Sequence, residues 1–133
     1  MFLLDTNVCV GVLKDNAVVV NRFGRYATAE LRLCSVVKAE LYYGARAGAA
    51  VAKNLATVER FCRPFESLPF DDSCAKTYGT LRADLRQRGQ LIGPNDLMIA
   101  AIALTHELTL VTHNTREFER VPGLMLEDWE TSA

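Results

Sequence analysis

The stretch that most restricts how this chain can fold is Leu97 to Leu104, LMIAAIAL, which is apolar nearly all the way round a helix. The breakers Gly93-Pro94-Asn95 precede it, and Asp96 stands at its first turn. A helix of this kind must be covered on every side, so it is central and the rest of the chain must supply layers around it. The flanking segments do so by alternating. Phe2 to Asp5, Leu31 to Cys34, Ser67 to Phe70, Leu108 to Thr112 and Leu124 to Leu126 read as short strands. Between them, helices are predicted from Thr6-Asn7 toward Lys14, over Ala17 to Ala29, from a Ser35 cap through Glu40 to Arg46, and over Ala49 to Cys62. Ser73 to Arg88 is a further helix after Asp71-Asp72, and Arg116 to Arg120 is at most a short turn. The pattern predicts an α/β fold: a three-layer sandwich with a central, mostly parallel sheet flanked by helices, one domain over residues 1–133. In such folds, sites form at the carboxyl ends of the strands.

Composition removes several classes of protein. Half of the residues are hydrophobic and 23% are charged, an ordinary globular balance without a disordered tail. The apolar N-terminus has no basic flank or small-residue cleavage site, and Leu97 to Leu104 falls well short of the roughly 20 residues that span a bilayer. A soluble cytoplasmic protein is expected. Cys9, Cys34, Cys62 and Cys74 show no CxxC spacing, and His106 and His113 stand apart, so reduced buried thiols rather than a zinc site are expected. The net charge of −1 exerts no general pull on nucleic acid, although eleven of the fifteen basic residues are Arg, the better phosphate fork.

The chemistry lies in three acids set within apolar segments: Asp5, Glu40 and Asp96. Each has a plain reading. Asp5 can cap the next helix, Glu40 can be a solvated helix residue, and Asp96 gains about 0.3–1 kcal/mol from the dipole at a helix start. Together they point elsewhere, because neighbouring carboxylates raise one another's pKa unless a cation lies between them. Oxygen ligands without His or Cys select a hard ion, Mg²⁺ or Mn²⁺, and such an ion suits a phosphodiester substrate. A carboxylate not committed to the ion can then act as general base toward water.

At these residues the chain resembles a known family. LLDTNV (Leu3 to Val8), AELYYGA (Ala39 to Ala45), GPNDLMIAAIAL (Gly93 to Leu104), LVTHNTREFERVPGL (Leu110 to Leu124) and LEDW (Leu126 to Trp129) are similar, in order and spacing, to a PIN-domain ribonuclease of the VapC toxin type. The resemblance implies a metal site of Asp5, Glu40 and Asp96, with Asp5 and Asp96 as the foremost ligands and Thr6 supporting them by hydrogen bonding. Many such domains carry a fourth acid where this chain has NTREF. Asn114 is neutral there and Glu117 lies three residues on, so which of them completes the site is open, with Glu119 as a third candidate. Asn114 is read as a positioner of water or ligand and Glu117 as the outer carboxylate.

The resemblance further implies a Mg²⁺-dependent endoribonuclease toxin that hydrolyses RNA, transfer RNA foremost. It also implies a cognate VapB-type antitoxin, operator DNA bound only through that antitoxin, and a homodimer or a hetero-oligomer with the antitoxin. The alternative is a catalytically weak subunit of an antitoxin–DNA complex that acts in transcriptional autoregulation, a reading motivated by the neutral Asn114 and the absence of a basic excess. Arg82 and Arg86, at i and i+4 with Arg88 beyond, are candidate grips for RNA phosphates, although Asp84 between them also fits a solvated face. Phe23, Tyr42 and Tyr43 read as core before base-stacking residues, and Trp129 as the residue that packs the last strand onto the domain.

Overall fold

The structure, a computed structural model, describes residues 1–131. Its elements run β1 (Phe2–Leu4), α1 (Thr6–Leu13), α2 (Ala17–Phe23), a 3-10 turn (Thr28–Glu30), β2 (Leu31–Cys34), α3 (Ser35–Ala47), α4 (Val51–Cys62) and β3 (Glu66–Leu68). They continue with α5 (Asp72–Gln87), α6 (Pro94–Thr105), β4 (Thr109–Val111), α7 (Thr115–Phe118) and β5 (Leu126–Glu127). The five strands form one sheet in the order β3-β2-β1-β4-β5, and every pair is parallel. The expected α/β sandwich is therefore present, with a wholly parallel sheet.

The strand order explains where a site can form. From β1 the chain moves outward to β2 and β3 on one side, then returns to lay β4 and β5 on the other. At the carboxyl ends of β1 and β4 the flanking connections diverge and leave a crevice, the usual ligand position in open parallel sheets. Register fixes what borders it: Leu4 pairs with Val111, and the Asp5 amide donates to the Val111 carbonyl at 2.9 Å.

Helix α6 is central, as its composition demands. Leu97, Ile99, Ala100, Ala101, Ile102 and Ala103 are all buried, and complete burial of a single Leu or Ile is worth about 1.5–3 kcal/mol. Against it α5 runs as the other arm of a helical hairpin, where the Thr105 hydroxyl donates to Thr77 Oγ1 at 2.9 Å. The four cysteines are free and buried, and burial pushes the Cys34 thiol up to about 11 and Cys9 well above its ordinary value. Among the described residues no helix is long and apolar enough to cross a membrane.

Several element boundaries differ from expectation: β3 runs Glu66–Leu68 rather than Ser67 to Phe70, and α4 begins at Val51 rather than Ala49. Helix α2 stops at Phe23 instead of Ala29, because Gly24 caps it and the chain turns extended at Ala27. That turn carries Tyr26 onto Trp129, with ring centroids 5.3 Å apart and planes 4° from parallel. The last strand starts at Leu126 rather than Leu124, since Gly123 takes the left-handed conformation (φ +79°) and Leu124 is still in the turn, its amide bonded to Val121. Ser35 is the first residue of α3, whose cap is Cys34. Trp129 is fully buried and holds the segment after β5 against Phe2 and Tyr26, its indole donating to Glu127 Oε1 at 3.1 Å. Phe23 stacks with Phe61 and meets Phe65 edge-on, whereas Tyr43 is exposed.

Candidate active site

Asp5 is the first residue after β1 and caps α1, with Oδ1 accepting from the Thr6 amide at 2.8 Å. Its other oxygen, Oδ2, accepts from the Thr112 hydroxyl at 2.7 Å and from Asn7 Nδ2 at 3.3 Å. The side chain is thus locked while only 4% exposed. Burial pushes its pKa up; the hydrogen bonds from Thr112 and Thr6 pull the other way, and nearby Glu40 adds to the rise.

Glu40 comes from the middle of α3, and its Oε1 accepts the Thr6 hydroxyl at 2.9 Å. Asp96 stands in the first turn of α6, where Pro94 at the helix start leaves its own missing N–H harmless. Asn114, following β4, aims Nδ2 at both Asp96 Oδ2 (3.5 Å) and Glu117 Oε2 (3.1 Å), while its amide donates to Thr112 Oγ1 at 3.0 Å. Asp96 is pushed up to about 7 by partial burial, by its hydrogen bond with Glu117, and by the charges of Asp5, Glu117 and Glu40. Glu117 is held below its ordinary value as the acceptor in that pair. The proton of this carboxyl pair is therefore held on Asp96, up to a pH of about 7.

Asp5, Thr6, Glu40, Asp96 and Asn114 line one open cleft of about 540 Å³, with Asn7, Lys14 and Glu130 among its other walls. The structure therefore brings together the three acids and Thr6, and Glu117 joins them through Asp96 and Asn114. Glu119 is exposed and outside the cleft wall. Arg82 and Arg86 also lie on an exposed face of α5 and do not line the cleft; Arg82 is engaged with the Tyr78 hydroxyl at 2.9 Å.

Asn7 and Thr112 are the functional neighbours that the linear sequence does not display. Asn7 sits two residues after Asp5, a local hint, but Thr112 reaches it only through the Leu4–Val111 register. His113, expected to stand alone, is brought to Asp128 and Glu130 at 3.2 and 3.1 Å.

No lysine or arginine among the described residues forms an ion pair with Asp5, Glu40 or Asp96, and Lys14 in the outer wall is no exception. Three carboxylates in one cleft, two of them with raised pKa, thus have no ion-pair partner among the described residues. A divalent cation with a preference for oxygen fits that donor set, and the all-oxygen composition disfavours a softer metal.

A family model of the PIN domain matches residues 2–124. The chain is 40% identical over 128 residues to the tRNA(fMet)-specific endonuclease VapC of Salmonella typhimurium, covering 96% of this chain and 97% of that protein. It is 37% identical over 132 residues to ribonuclease VapC2 of Rickettsia felis, with 98% of each covered. Among solved structures, it superposes with a TM-score of 0.90 on VapBC2 from Rickettsia felis bound to a DNA fragment from their promoter, at 36% identity and 97% and 98% coverage of the two chains. DNA-bound VapBC from Salmonella typhimurium gives the same TM-score at 40% identity, with 96% and 97% covered. Relatives that match from end to end in both sequence and shape place the protein: the chain belongs to the PIN-domain family, among its VapC ribonucleases.

Proposed function

We propose that the protein is the Mg²⁺- or Mn²⁺-dependent endoribonuclease toxin of a toxin–antitoxin pair, and that Asp5, Glu40 and Asp96 hold the ion. The observation that carries this is the convergence of three carboxylates, with no ion-pair partner among the described residues, on the crevice between β1 and β4. When bound, the ion polarises a phosphoryl oxygen and offsets charge on the leaving oxygen. The chain's own residues do the remaining work. Thr112 and the Thr6 amide fix both Asp5 oxygens, and the Thr6 hydroxyl occupies Glu40 Oε1, so that Oε2 is the oxygen left for the ion. Asn114 Nδ2 reaches both Asp96 and Glu117 and supports the outer carboxylate.

Transfer RNA is the proposed substrate, by analogy with the Salmonella relative, whose name specifies tRNA(fMet). A VapB-type antitoxin is the proposed partner, with operator DNA reached through it, because the similar structures are VapBC pairs and two of them hold DNA. The test is direct. Protein freed of antitoxin is incubated with total transfer RNA, and the fragments are mapped. Cleavage is expected with Mg²⁺ or Mn²⁺, and is expected to vanish in EDTA and in Asp5→Asn. Equal cleavage by wild type in excess EDTA overturns the proposal.

A further inference from the structure

We infer that His113, Asp128 and Glu130 form a second cation site, suited to a borderline ion such as Zn²⁺, on the rim of the acid cleft. The three residues come from two segments, the loop after β4 and the stretch after β5, and their ligand atoms all lie within 4.8 Å of one another. His113 Nδ1 is 3.2 Å from Asp128 Oδ2 and 3.1 Å from Glu130 Oε2. Ligand atoms around a tetrahedral ion with bonds of about 2.0–2.2 Å are themselves about 3.3–3.6 Å apart, so the ring nitrogen and its two carboxylate partners need part by only a few tenths of an ångström to admit one.

The trio gathers more acceptors than one ring nitrogen can serve. Two carboxylates converge on one ring nitrogen, and that nitrogen offers a single proton. Outer contacts meanwhile hold each member from behind. The His113 amide donates to Asn7 Oδ1 at 3.1 Å, Asp128 Oδ1 accepts the Glu130 amide at 2.9 Å, and Glu130 Oε1 accepts from Asn16 Nδ2 at 3.5 Å. Such ties orient ligands, and both Asp128 oxygens stand near the ring nitrogen, Oδ1 at 3.3 Å and Oδ2 at 3.2 Å. One imidazole nitrogen with two carboxylate oxygens is a mixed donor set that suits Zn²⁺ better than Mg²⁺, which separates this site chemically from the all-oxygen cleft.

The location gives the site a consequence. Asn7 joins the two centres, donating from Nδ2 to Asp5 and accepting from the His113 amide. Glu130 is itself part of the cleft wall. An ion on the trio therefore ties the segment after β5 to the loop that carries Thr112 and Asn114, and stiffens one side of the cleft.

The experiment reads binding, so its outcome is independent of whether the protein cleaves RNA. His113 and His106 are the chain's only histidines, which gives the titration an internal control. Full-length, metal-stripped protein is titrated with Zn²⁺ while imidazole nitrogen resonances are followed and heats are recorded. The Nδ1 signal of His113 is expected to shift at one equivalent with His106 unmoved, in wild type and in Asp5→Asn alike. His113→Asn and Asp128→Asn are each expected to weaken that event by at least the roughly 10–100-fold that even an outer-sphere loss costs. Their thermal melts serve to confirm folding. Unshifted His113 nitrogens in wild-type protein at excess Zn²⁺, the result of a purely protonic His–carboxylate clip, overturn the inference. So does Zn²⁺ affinity unchanged in His113→Asn.

Discussion

Thr112 donates its hydroxyl to Asp5 Oδ2 at 2.7 Å, a bond between residues 107 apart in sequence that is buried and sits where β1 and β4 end side by side. It fixes the carboxylate's orientation before any ion arrives. Thr112→Val removes the donor with little change in shape and leaves that oxygen with only the longer Asn7 contact. A hydrogen bond to a charged group is worth about 1.5–3 kcal/mol, and loss of an outer-sphere partner weakens metal binding roughly 10–100-fold. Chemical denaturation at pH 8 without metal and calorimetric Mn²⁺ titration are expected to show these two losses. Full Mn²⁺ affinity in the variant would show that the bond plays no part in the site.

The proton shared by Asp96 and Glu117 must leave when an ion binds. Asp96 holds it up to about 7 in the ion-free protein, so metal affinity is expected to fall as pH drops from 8 toward 6. Calorimetry in two buffers of different ionisation heat should find proton uptake by buffer approaching one per ion near pH 6 and vanishing above pH 8. A pH-independent affinity over that interval contradicts the shared proton.

The same shift sets an opposition between stability and activity. Asp96 binds its proton more tightly folded than unfolded, so its contribution is fully present below the unfolded value near 3.8 and is lost as pH rises through about 7. Glu117, depressed in the folded state, works in the opposite sense, and only at the acidic end of the range. In EDTA, Asp96→Asn is therefore expected to be more stable than wild type at pH 8, with the gap closing toward pH 4, while RNA cleavage is lost. Urea unfolding across that range measures it; a gap that widens on acidification refutes the assignment.

Trp129 tests how the end of the fold is secured. Trp129→Ala is expected to cost about 3–5 kcal/mol, typical of a buried large aromatic, and Trp129→Phe much less because the stack on Tyr26 survives. The two flanking residues are Asp128 and Glu130, so Trp129→Ala should also loosen the His113 contacts, visible as faster amide exchange at Glu130.

Legibility in the sequence followed the range of the interactions. The apolar run of α6, the acid at its first turn and the carboxylate closing β1 are local patterns, and the alternation of elements was enough to place Asp5 and the loop after β4 on one rim. Glu40 needed only a helix and a facing hydroxyl, which Thr6 supplies. Strand register, by contrast, has no local signature. Thr112 on Asp5 and His113 on Asp128 exist because parallel strands pair at particular residues, and nothing near His113 announces partners 15 and 17 positions away. The ends of α2 and β5 were misjudged for a related reason. Gly24 and Gly123 break their segments where aromatic packing and the turn require it, overriding the helix and strand formers around them. Arg82 and Arg86 share an exposed helix face as their spacing requires, but spacing alone could not say that neither lines the cleft.

The sheet order places the first strand in the middle and its neighbour β4 nearly last in the chain. Asp5 therefore precedes its partners by a long stretch of chain: Asp96 follows 91 residues later, and Thr112, which holds it, 107 residues later, with Glu117 beyond. A prematurely terminated product that ends before β4 leaves β1 as a bare sheet edge with Asp5 unsupported by Thr112 and the acid set without Glu117, so translation errors upstream of that point yield fragments without a cutting edge.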